Sequence, residues 1–235
     1  MNEIVKKRKS IIFISVAIMI LLIVFGVMFM NNHEVYADKV VRVDLEKIHE
    51  SIEKEFKNNS LSDSSPFSHI ENNEYYDEII ELGVAALPEL ENELQSSDIS
   101  GLDEYIMALA MSEISGTDVS LITKGESYSW SNAKQFLAEW KATKELVEID
   151  ITMLLMMDNM TEKELRNKIS PYGVLAIPVI CDVLSDEDMA LTPDQKSVYK
   201  KELNNIVNEA KLSKNEIKLL KGIVPENSVG FDAAK

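Results

Sequence analysis

Apolar positions along this chain fall into two kinds of pattern. The first is unbroken: Ile11 to Met30 carries no charge and Ser15 as its one polar side chain, and Lys6-Lys7-Arg8-Lys9 stands directly before it. A run of about 20 apolar residues, at about 1.5 Å of helix per residue, covers a hydrocarbon core of about 30 Å. A basic cluster on one flank stays in the cytoplasm. The pattern predicts residues 1–10 as a cytoplasmic basic tail, 11–30 as a transmembrane anchor or uncleaved signal, and everything after it outside. Val35-Tyr36-Ala37 is also a small-x-small site, so a form cleaved and secreted after Ala37 is the alternative.

The second kind is periodic. Val41, Leu45, Ile48, Ile52 and Phe56 recur at three and four residues and predict an amphipathic helix within 38–57. Asn, Ser and Asp with Pro66 predict a loop over 58–69. Helical spacing returns over 70–224, while period-2 runs of Val, Thr and aromatics are nearly missing. The tail 225–235 has no period and is expected to be flexible. The fold class that follows is all-α.

Two of these segments match. Ile79, Gly83, Val84, Ala86, Leu87, Pro88, Leu90 and Leu94 align at an offset of 90 with Ile169, Gly173, Val174, Ala176, Ile177, Pro178, Ile180 and Leu184. Each pair is identical or exchanges Leu for Ile. The unit reads as helix, tight turn at a left-handed Gly just past Leu82 or Tyr172, then a second helix with Pro in its first turn, where a missing N–H breaks no bond. Ser100, with Asp103 three residues on, is a candidate N-cap for the next helix in the first copy. Thr192-Pro193-Asp194-Gln195 is a capping box in the second, and Thr161 to Glu164 and Ser213 to Glu216 are two more. Gly116 to Tyr128 reads as a loop. Ser131 opens a long helix through Phe136, Leu137, Trp140, Leu146 and Val147 towards Met157.

The L-G-V-x-A-L-P-x-L pattern of Leu82 to Leu90, with its degenerate partner Tyr172 to Ile180, resembles HEAT-like helical repeats. Trp130 to Phe136 is similar to a segment found beside such repeats in exported bacterial proteins. The resemblance implies paired antiparallel helices, stacked as an irregular helical-hairpin solenoid or bundle after the transmembrane helix, that bind partners along one face. It implies no activity. The two copies stand 90 residues apart, against a family unit of about 40–47.

Charge then narrows the partners. Residues 38–235 hold 20 basic and 38 acidic side chains, a net charge of −18. That disfavours nucleic acid and anionic lipid, and favours a protein or peptide partner with a basic face. Cys181 is the sole cysteine, so no intramolecular disulfide exists and the core alone must hold the fold. Cys181 falls within an apolar stripe and reads as a buried thiol. His49 reads as a half-buried helix residue and His69 as a turn or capping residue. Asp182, Asp186, Glu187 and Asp188 crowd one turn without the D-x-D-x-D-G spacing of a calcium loop, and read as solvated. No zinc motif or phosphate loop occurs. The cluster Met153, Met156, Met157 and Met160 reads as core, with an adaptable binding face as the alternative.

No catalytic, cofactor or metal residue is assigned, and no cofactor is expected. The function expected is that of a membrane-tethered extracytoplasmic scaffold, held in the membrane by Ile11–Met30, that is not an enzyme and binds a protein or peptide. A hydrolytic enzyme using carboxylates gathered by the fold is the alternative.

Overall fold

The computed structural model describes residues 36–54, 66–98, 100–157, 160–189 and 191–223, and every element within them is helical. The basic tail 1–10, the apolar run 11–30, Phe56 and the tail after Pro225 lie outside the described residues. The chain runs α1 (36–54), α2 (Pro66–Ile70), α3 (Glu74–Glu81), α4 (Leu87–Ser96), α5 (Leu102–Ser115), α6 (Val119–Lys124), α7 (Ala133–Met156), α8 (Glu162–Ile169), α9 (Ala176–Ser185), α10 (Pro193–Glu209) and α11 (Lys214–Ile223). Short 3-10 segments, Gly83–Ala86 and Ser170–Leu175, lead into α4 and α9.

The stripes sort as their spacing predicts. Val41, Ile48 and Ile52 of α1 are buried, and so are Ile79, Leu87, Leu90 and Leu94, and Ile169, Ile177 and Ile180. They join one core with Phe136, Trp140, Val147, Ile151 and Leu155 of α7. Each large apolar side chain removed from water contributes about 1.5–3 kcal/mol. At 24 residues α7 is the longest described helix, and α4, α5, α6, α8 and α9 all pack against it.

Both expected turns have a glycine at positive φ, Gly83 at 59° and Gly173 at 51°. Pro88 and Pro178 fall in the first turns of α4 and α9. Gly173 departs from a left-handed helical residue, because its ψ of −134° lies where only glycine is at ease. Its lack of a side chain has a further use. The turn Pro171-Tyr172-Gly173 lies directly on Ser115-Gly116-Thr117-Asp118 at the end of α5. Thr117 Oγ1 donates to the Tyr172 carbonyl at 3.0 Å, and Asp118 N donates to the Pro171 carbonyl at 2.8 Å. The stretch Glu162–Ser185 is long and apolar enough to cross a membrane by length and composition, but it breaks at Gly173 and more than half of its apolar window is buried in this core.

Four local expectations are corrected. Residues 66–69 are helix rather than loop, since Pro66, with φ already set, opens α2. The stretch from Gly116 to Tyr128 contains α6, which Asp118 caps by accepting from Leu121 N at 3.1 Å. The N-cap of α5 is Gly101 rather than Ser100, and Glu104 rather than Asp103 accepts from its N–H at 2.8 Å. Asn132, not Ser131, caps α7, with its side chain accepting from Gln135 N at 2.9 Å. The boxes Thr161 to Glu164, Thr192 to Gln195 and Ser213 to Glu216 form as expected, each with its reciprocal pair of bonds.

Candidate interaction surface

Helix α7 is held along one side by polar contacts that water does not reach easily. Near its start, Glu139 is buried; its carboxylate accepts from Ser120 Oγ at 2.6 Å and Gln135 Nε2 at 3.0 Å, and pairs with Lys124. Burial pushes the Glu139 carboxyl up, while Lys124, Ser120 and Gln135 together bring it below its ordinary value. One residue on, Trp140 Nε1 donates to Glu91 Oε2 of α4 at 3.1 Å. Lys144 Nζ lies 2.7 Å from both oxygens of that carboxylate, and Gln95 Nε2 donates to it at 2.8 Å. Further along, Asp150 accepts from the Tyr172 hydroxyl at 2.7 Å, and the Leu155 carbonyl accepts from the Tyr199 hydroxyl. Burial and Asp150 push the Tyr172 phenol above its usual range. Trp130, Phe136 and Tyr105 add an aromatic ladder at its N-terminal end, with ring centroids 4.8 and 5.1 Å apart.

Because that side is fixed, the other side is presented in a defined way. Leu146, Ile149, Met153 and Met156 recur at three and four residues and so share a face, and Met157 follows at the cap. Their exposures are 38%, 47%, 63%, 62% and 53%. Single exposed apolar residues are ordinary on proteins, whereas a contiguous row makes a candidate contact surface. The expectation that the methionines are core is corrected here for Met153, Met156 and Met157; Met160 alone packs on the core, as a half-buried residue. Sequence shows that a methionine is apolar, but not whether another helix arrives to cover it.

The other residues singled out by the sequence do not converge. His49 is exposed rather than half-buried, with Nδ1 2.5 Å from Asp103 Oδ2 on α5. His69, expected in a turn, is buried in α2. Cys181 is half-buried on α9, and burial raises its thiol above the ordinary value. Asp182 pairs with Lys221 at 2.5 Å, while Asp186, Glu187 and Asp188 are exposed. Among the described residues no three His, Cys, Asp or Glu side chains gather as a metal cluster.

Two arrangements escaped sequence reading. The first is an open groove of about 400 Å³ between α4, the inner flank of α7 and α11, lined by Val84, Pro88, Glu91, Lys144, Lys218 and Ile223. Its one buried carboxylate, Glu91, already receives four contacts from Trp140, Lys144 and Gln95, so it has no oxygen left for general-base work. The second is a carboxyl pair. Asp44 of α1 faces Glu78 of α3, and burial, then the Glu78 charge, pushes Asp44 up to about 6. A shared-proton pair is the arrangement an acid–base enzyme uses, but Asp44 is only 4% exposed. The chain matches no family model, no curated protein and no solved structure.

Proposed function

We propose that the chain is a membrane-tethered extracytoplasmic scaffold of HEAT-like helical hairpins that captures a protein or peptide partner on the outer face of α7. The apolar row Leu146, Ile149, Met153, Met156 and Met157 carries this reading. A rigidly seated helix that leaves five large apolar side chains in water is matched to something that covers them. The tether is supported by the charge-free run Ile11–Met30 behind Lys6-Lys7-Arg8-Lys9. Retention rather than cleavage after Ala37 is supported by Ala37 itself, a fully buried member of α1.

The test is site-specific photocrosslinking of the full chain in its own membrane. A photoreactive residue at Met153 should give one discrete adduct, and one at the exposed Lys200 of α10 should give none. The same adduct from both positions, or none from Met153, overturns the binding role. Protease added outside intact cells should remove the domain, and a protected C-terminus overturns the topology.

A further inference from the structure

We infer that the element seated on α7 is a cationic amphipathic helix. This rests on the binding role just proposed and specifies its partner. The row from Leu146 to Met156 spans about 15 Å at helical rise, so it accommodates about three turns of a second helix. Three of its five side chains are Met. These are unbranched and polarizable, and they adapt to apolar residues of differing shape, which suits the variable apolar face of a helix.

The surroundings set the sign of the partner's charge. Glu145 lies four residues before Ile149, along the edge shared with Met156. Asp150, three before Met153, is turned inward instead and is engaged by the Tyr172 hydroxyl. An exposed carboxylate therefore borders the row along one edge. The last turn of α7 holds no basic residue, so the negative end of its dipole is uncompensated by its own side chains. The whole chain carries −16. A helix with Leu or Ile on one face and Lys or Arg beside it meets each of these features favourably. A second copy of this chain packed on the row would bring Glu145 near its own counterpart, and an anionic bilayer would be repelled.

The experiment uses the full chain in zwitterionic nanodiscs and two designed peptides of identical apolar pattern, one Leu/Lys and one Leu/Glu. The Leu/Lys helix should bind at least about tenfold more tightly, with an advantage that shrinks as salt rises. Ile149→Ser with Met153→Ser should weaken it about tenfold or more, through the lost apolar contact. Glu145→Lys should weaken it and leave the Leu/Glu peptide no worse. Equal binding of the two peptides overturns the inference. So does Leu/Lys binding that ignores the Ser substitutions, because it then reflects the general acidity of the surface. Binding of anionic vesicles that the Ser substitutions abolish would assign the row to a membrane instead. If the Leu/Lys peptide fails while the Met153 photoadduct persists, the partner class falls and the binding role stands. Loss of the photoadduct removes both.

Discussion

Gly173 meets Ser115 backbone to backbone: a Cβ on Gly173 would lie 2.1 Å from the Ser115 carbonyl oxygen, and 2.6 Å from the carbonyl carbon of Gly116. No side chain can turn away to relieve that overlap. Gly83, which aligns with it in sequence at an offset of 90, would place a Cβ 3.2 Å from Glu216 Oε1, the end of a flexible side chain. The two Gly→Ala substitutions should therefore separate. Gly83→Ala should cost about 1–2 kcal/mol from its positive φ alone, opposite in sign to a Gly→Ala change at a compatible site. Gly173→Ala should cost about 3 kcal/mol or more, since the overlap adds to the strain. Chemical denaturation of both variants checks the ranking, and equal losses would contradict it.

Asp44 gives the domain a pH dependence. Its value near 6 lies above the ordinary 3.8, so the folded state holds the proton more tightly than the unfolded chain. The stabilisation is fully present below about pH 4 and is lost as pH rises through about 6. Between about pH 7 and pH 5 the gain should be about 1 kcal/mol. Asp44→Asn should abolish that increment and be the more stable protein at neutral pH. Unfolding curves with the same slope against pH in both proteins would show that the carboxyl pair is unimportant.

Glu91→Ala should be among the costliest polar substitutions. It removes the acceptor of Trp140 Nε1 and the counter-charge of Lys144, whose side chain is 15% exposed. Stranding those donors costs about 3 kcal/mol. Adding Lys144→Met to the same chain should recover part of the loss. A double-mutant cycle with no coupling would place the two groups in independent surroundings.

The outer row of α7 should be silent in stability. Ile149→Ser and Met153→Ser remove no core contact, and each should change the unfolding free energy by no more than about 0.5 kcal/mol. A larger loss would mean that some other part of the chain covers the row.

What the sequence made legible was whatever depends on near neighbours. The boxes at Thr161, Thr192 and Ser213 close within four residues, and the positive φ of Gly83 and Gly173 follows from the apolar stripes on either side of each turn. Helix α6 was missed because six residues are too few for a period to register. The candidate surface is half legible: the spacing puts Leu146 on the long helix, but the exposure of Met153 depends on which helices fail to arrive. Glu91 was beyond reach, since its partners Trp140 and Lys144 come from a helix 49 and 53 residues further on. The His49–Asp103 pair is equally out of reach of local spacing, since Asp103 lies 54 residues away on α5.

The seat of Pro171-Tyr172-Gly173 on the end of α5 also sets a clock for biosynthesis. Thr117 leaves the ribosome 55 residues ahead of Tyr172, whose carbonyl its hydroxyl needs. At about 5–20 residues per second, the earlier segment waits about 3–11 s before its acceptor exists. Throughout that interval the Asp118 amide and the Ser115–Gly116 backbone face solvent or a chaperone. The N-terminal half of the domain therefore cannot be finished in the order in which it is translated.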